Sequence, residues 1–243
     1  MNEELQQAVV DKEQEVGNEL DAFLAALLIT AGTLISSKAG VSEIQKTIEI
    51  DKNNFINKVN TILDGLVSIA AIPLKKARTI DKNVKISSEV ASKIDSFITT
   101  IKIEYKALID SKTAEIVSTL STQIATGAKK SDIINSVKKT LESSGLGNNN
   151  IRGLKTIITT KAFELESLVN KELSILIGVS SWKYEGPSDS KNRAWCASHV
   201  GNTLTKKEFE DWRNKSWDGK RDGDPFVVRG GWNCRHHFTP IKK

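Results

Sequence analysis

Through the first 180 residues the apolar positions recur at spacings of three and four, which gathers them on one face of a helix. A first helix is expected from about Glu3 to Ser37, with Gly40 near its end. Its apolar run, Ala22–Ile35, is too short to span a bilayer and is expected to be a buried helix segment. Ser42 followed by Gln45 reads as a capping box for the next helix, which continues through Phe55, Ile56, Val59, Ile62, Leu63 and Leu66 until Pro73 breaks or kinks it. Arg78–Ile86 is polar and weakly patterned, a connection. The clearest stripe lies between Ser88 and Thr126: Val90, Ile94, Phe97, Ile98, Ile101, Tyr105, Leu108, Ile116, Leu120 and Ile124, stopped by Gly127. Ser131 caps a short helix bearing Ile133, Ile134, Val137 and Leu141, and Gly145, Gly147 and Asn148–Asn150 form a loop. A last helix carries Ile151, Leu154, Ile158, Ala162, Leu165, Val169, Leu173 and Leu176 and ends near Gly178.

The pattern changes at Ser180. Trp182 and Tyr184 alternate as in a strand, and Gly186-Pro187 turns the chain. Asp189–Arg193 is turn-prone, and Gly201–Leu204 reads as a short strand. Thr205 with Glu208 makes a capping box for a short helix bearing Phe209 and Trp212. Asn214–Asp224 is a charged loop, Pro225–Arg229 is expected to be a strand, Gly230-Gly231 a tight turn, and His237–Ile241 a final strand. The expected fold class is mainly α: an elongated helical N-terminal region followed by a small α+β C-terminal domain with a Cys/His cluster. The division along the chain is a helical region over 1–149, a connecting helix over 150–179 and the α+β domain over 180–243.

Composition sharpens that boundary. Every Trp, Cys and His lies beyond residue 181, and residues 1–180 are charge-balanced, so the C-terminal part carries the whole net charge of +5. Without Cys, His or a Gly-rich phosphate loop, the first 180 residues offer nothing for catalysis. Two cysteines do not make a disulfide scaffold, and the acidic N-terminus is unlike a secretory leader; a soluble chain made in a reducing cytosol, with no membrane partner, is the expectation. The C-terminal basic excess suits nucleic acid, with phosphate contacts from Lys206, Lys207, Arg213, Lys215, Lys220, Arg221 and Arg229, or is a plain solvated surface.

The chemistry-bearing residues fall in two short runs, Trp195–His199 and Gly230–His237. Cys196 and His199 are spaced C-x2-H; Cys234 is followed by His236 and His237. Two short-spaced pairs suit one tetrahedral structural zinc held by two thiolates and two imidazoles, with Cys196, His199, Cys234 and His236 as ligands and His237 as the alternative. Such a centre would staple a domain with too few aromatics for a large core. The competing readings are a pair of buried cysteines or a disulfide, with hydrogen-bonded core histidines. A catalytic zinc would need an open position and a nearby acid or base, for which Asp189, Glu208 or the spare histidine would have to serve; no catalytic residue is assigned.

Tyr184-Glu185-Gly186-Pro187-Ser188-Asp189-Ser190-Lys191-Asn192-Arg193, then Cys196, His199 and Gly201, then Gly230-Gly231-Trp232-Asn233-Cys234-Arg235-His236 and Pro240, resembles the C-terminal domain of the phage Mu F-like minor head proteins, the phage head morphogenesis family. The resemblance covers roughly residues 150–241 and is most specific in the closing run. It departs at Lys191-Asn192, where the family usually has Arg-Thr. It points to Asp189, Cys196, His199, Cys234 and His236 as the motif core, with Asp189 and Gly201 in its turns. It implies a head-morphogenesis protein of a tailed phage, made in the host cytoplasm and carried in the virion, in the head interior or near the portal. Its partners would be portal, major capsid or scaffold proteins and packaged DNA. The alternatives from other classes are a metal-dependent, nuclease-like hydrolytic effector delivered with the genome, and a DNA-binding module.

Overall fold

A computed structural model describes residues 3–36, 40–143 and 152–241. Helix α1 spans Glu3–Ser36 and α2 spans Val41–Asp64. The chain stays helical past Asp64, through a tighter 3-10 segment (Gly65–Ala70), into α3 (Ala71–Ile80). Pro73 sits in the first turn of α3, at the junction with the 3-10 segment, so it does not end the helix as expected. Helix α4 spans Ser88–Ala125, α5 Lys130–Ser143 and α6 Arg152–Leu176. The expected capping box at Ser42 is displaced: the first turn of α2 closes on Gly40, whose carbonyl accepts from Glu43 and Ile44. Gly127 and Gly178 end α4 and α6 with φ of 68° and 71°, the left-handed conformation that favours glycine. The expected loop at 145–150, and the side chains of Leu141, Ile151 and Leu154, lie outside the described residues.

Two compact units form, one from Met1–Asp11, Gly65–Ile98 and Ile158–Lys243, the other from Lys12–Asp64 and Thr99–Ile157. The second is a helical core of Phe23, Leu27, Ile48, Phe55, Val59, Ile101, Tyr105, Ile116 and Leu120, with Phe23 stacked on Phe55 at 4.7 Å. The expected stripe of α4 is largely buried, with Ile109 rather than Leu108 as its inward residue near the gap. The run Ala22–Ile35 is amphipathic rather than buried throughout, since Ile29 is exposed. Among the described residues Val41–Ile80 is long and apolar enough, by length and composition, to cross a membrane. It buries Ile44, Ile48, Ile56, Val59, Leu63, Leu66, Ile69 and Ile72 within the protein.

In the first unit α6 is buried on nearly all sides from Ile158 to Ser174, including Thr160, Glu164, Glu166, Ser167 and Asn170. Three of these polar groups, Thr160, Glu164 and Asn170, hold the C-terminal residues. Thr160 accepts from Asn233 N–H at 3.1 Å, Asn170 donates to the Phe238 carbonyl, and Glu164 pairs with Arg221. The C-terminal part is a three-stranded antiparallel sheet in the order β2-β1-β3, with β1 over Ser181–Glu185, β2 over Thr203–Thr205 and β3 over His237–Pro240. Tyr184 pairs with Phe238 and Trp182 with Leu204. Between the strands lie α7 (Ala194–His199), α8 (Lys206–Asp211) and α9 (Pro225–Val228). The Thr205–Glu208 capping box forms: Glu208 accepts from the Thr205 N–H at 2.6 Å. The expected strand at Pro225–Arg229 is instead one turn of helix. Asp224 accepts the Phe226 N–H at 2.9 Å, and Pro225 starts the helix with φ already fixed.

Candidate metal centre

Three of the singled-out residues meet. One ligand atom from each of Cys196, Cys234 and His236 lies within 4.8 Å of the others, and all three residues are buried. Cys196 comes from α7, which packs onto the sheet. Cys234 and His236 come from the segment between α9 and β3. There Gly231 (φ 94°) and Asn233 (φ 54°) take left-handed conformations that fold the chain back, and Cys234 N–H donates to the Gly231 carbonyl at 3.2 Å. Arg193 fastens this loop by donating to the Trp232 carbonyl at 2.6 Å, and Trp217 does so by donating to the Gly230 carbonyl at 3.0 Å.

The histidine is oriented from behind. His236 Nε2 lies 3.1 Å from the Pro187 carbonyl, which only accepts, so Nε2 carries the proton. Nδ1 then presents its lone pair toward Cys234 Sγ at 3.7 Å. A carbonyl behind the ring is a usual support for a metal-ligating imidazole. Gly186 makes room for the ring, because a Cβ there would stand 2.4 Å from His236 Cδ2. The Gly230 N–H donates to Cys234 Sγ at 3.3 Å, and a Cβ at position 230 would stand 2.4 Å from Cys196 Sγ. The Tyr184 hydroxyl lies 3.6 Å from Cys196 Sγ and 3.4 Å from Cys234 Sγ, and its ring stacks on His236 at 5.1 Å. Trp195, Trp212, Trp217 and Phe238 complete an aromatic wall.

The two thiols are electrostatically unequal. The Cys234 thiol is pushed well below its ordinary range by the hydrogen bond from Cys196, against burial, with the Arg229 guanidinium adding to the effect. The same contact and burial push the Cys196 thiol up. Two sulfurs and an imidazole nitrogen, one sulfur disposed to ionise, form a donor set able to hold a metal ion.

Other expected site residues lie elsewhere. His199 is not in the group: its Nδ1 faces the Trp195 carbonyl, four residues back, at 2.7 Å, and its ring packs on Trp195 and Trp212. The single turn of α7 that brings residues 196 and 199 to neighbouring positions also offers His199 that carbonyl. His237, the alternative ligand, points away from the group and lines a cavity of about 480 Å³ with Lys76, Lys183 and Glu185. Burial, helped by the Lys76 ammonium, pushes its imidazole down to about 3. Asp189 forms a bidentate pair with Arg235 at 2.8 and 2.6 Å and accepts the Lys191 N–H, which locks the turn before α7 against the Cys234 loop. Gly201 (φ 87°) donates to the Tyr184 carbonyl at 2.8 Å.

Of the basic residues, Lys206, Lys207, Arg213 and Lys215 are exposed. Lys220 donates to the carbonyls of Trp212, Arg213 and Lys215, and Arg221 lies over Trp232. Arg229, expected as a phosphate contact, is fully buried and donates to the His236 carbonyl at 2.9 Å; it is an internal support of the cluster. Tyr184, Gly186 and Gly230 belong to the runs that carry the resemblance, but ligand spacing alone gives them no place at the metal group. Two glycines and a strand tyrosine flanking Cys and His runs were the available signal.

No family model, curated protein or solved structure matches the chain.

Proposed function

We propose that this chain is a head-morphogenesis protein of a tailed phage, a minor head component whose C-terminal part is stapled by one structural zinc on Cys196, Cys234 and His236. The reading is carried by convergence. Of the motif core through which the sequence resembles the Mu F-like proteins, Cys196, Cys234 and His236 meet in one buried cluster and Asp189 braces it through Arg235, while His199 lies outside it. Two thiolates and an imidazole are ligands that zinc prefers, and binding them would add folding free energy to a small, loop-rich fold. Burial favours a structural centre over a hydrolytic one, because Cys196, Cys234 and His236 are each only 2 % exposed and a substrate would have to reach the metal.

Zinc would fix the loop between α9 and β3 and the turn before α7, giving a rigid surface for portal, capsid or scaffold contacts. Lys206, Lys207, Arg213 and Lys215 would lie on the solvent side of that fold, available to packaged DNA. Quantitative mass spectrometry of purified virions and procapsids tests the assembly role. A few copies of this chain per particle are expected. Its presence in infected-cell lysate with absence from both particles would overturn the reading.

A further inference from the structure

Cys196, Cys234 and His236 supply three donors, and a closed tetrahedral zinc needs a fourth. The sequence offered His199 for that place, and His199 is not among the residues that meet there. Another side-chain oxygen stands at the group. The Tyr184 hydroxyl is 3.6 Å from Cys196 Sγ and 3.4 Å from Cys234 Sγ, and the residue is fully buried. Metal–sulfur bonds of about 2.3 Å and metal–oxygen or metal–nitrogen bonds of about 2.0 Å at tetrahedral angles put neighbouring donors about 3.5 Å apart. The Tyr184 oxygen meets that separation from both sulfurs, and the Cys234 Sγ to His236 Nδ1 distance, 3.7 Å, is close to it.

We infer that the Tyr184 hydroxyl oxygen is the fourth donor, making the centre a closed site of two thiolates, one imidazole and one phenolate. The inference rests on the metal-centre reading above. Position 184 is fixed without the metal: β1 is the middle strand, Tyr184 pairs with Phe238, and its ring is held between His236, Trp212 and Phe238. On binding, the O–H bond is replaced by a metal–oxygen bond and the proton leaves to solvent, as do the thiol protons. An outer-shell tyrosine would instead keep its proton and donate it to a thiolate, leaving the fourth position to water.

The two arrangements differ in the ultraviolet. The chain has 2 tyrosines, so a Tyr105→Phe background leaves Tyr184 as the sole reporter. Zinc is titrated into this full-length chain and the difference spectrum followed. The expected result is a tyrosinate band that grows with zinc–thiolate absorption to one equivalent. Tyr184→Phe should lack that band and bind zinc more weakly than the roughly 10- to 100-fold loss typical of an outer-shell partner. Zinc–thiolate absorption without a tyrosinate band would overturn the inference and leave the metal centre standing. No zinc–thiolate absorption in the parent chain would overturn both.

Discussion

A methyl group at position 230 would stand 2.4 Å from Cys196 Sγ, closer than a carbon can approach a sulfur, and 3.0 Å from Cys234 Sγ, a tight contact. Gly230→Ala must therefore push the donors apart. The expected cost is about 1–3 kcal/mol, typical of overpacking, together with weaker zinc binding. Thermal unfolding with and without added zinc reads both, and an unchanged Tm would contradict the packing described. Asp189 acts at longer range. Its hydrogen bonds from Arg235 hold its carboxyl down at about 2, against an ordinary 3.8. A carboxylate depressed on folding adds stability above its unfolded value and loses it as pH falls toward the folded one. Asp189→Asn should thus lower stability near neutral pH, and the gap to the wild type should close as pH falls from about 4 to about 2. Denaturant midpoints across that range test it; a gap constant with pH would contradict the pairing. Cys196, Cys234 and His236 were legible because thiol and imidazole are scarce here and metal chemistry restricts what they do. The places of His199 and Tyr184 were not. A C-x2-H spacing is equally compatible with a histidine folding onto its own helix, and only the strand pairing of β1 brings residue 184 beside residues 196 and 234.

Local signals at element scale were mostly sufficient where one dominated. Gly127 and Gly178 stopped their helices, and the Thr205–Glu208 box opened α8. Val227-Val228 favours a strand by propensity, yet Asp224-Pro225 imposes a helical start at Pro225, and the capping geometry prevails over β-branching. Asp224 also pairs with Lys171 of α6. Asp224→Ala should cost about 1 kcal/mol or more, by chemical denaturation, from loss of the cap. An effect near zero would mean that α9 is held by packing alone. In α4 the inward Tyr105 carries a buried hydroxyl without a hydrogen-bond partner among the described residues, and burial raises its pKa. Tyr105→Phe removes an unsatisfied polar atom and leaves the ring, so a gain of up to about 1 kcal/mol is expected. Destabilisation would show that the hydroxyl has a partner.

For the whole molecule, periodicity reports which face of a helix is apolar but not what covers it. The interleaving of Met1–Asp11, Gly65–Ile98 and Ile158–Lys243 in one unit was therefore invisible in the sequence. So was the use of polar α6 residues Thr160, Glu164 and Asn170 to hold the C-terminal loops. A fragment of residues 180–243 lacks those contacts, and it should stay unfolded by near-ultraviolet circular dichroism even with zinc. A cooperative unfolding transition in that fragment would contradict the role given to α6. The most direct test of the account is native mass spectrometry of the purified full-length chain after zinc supply and desalting. The expected result is one zinc per chain, released on unfolding and missing from Cys234→Ser. A wild-type chain at its metal-free mass would contradict the Cys/His staple at the centre of this reading.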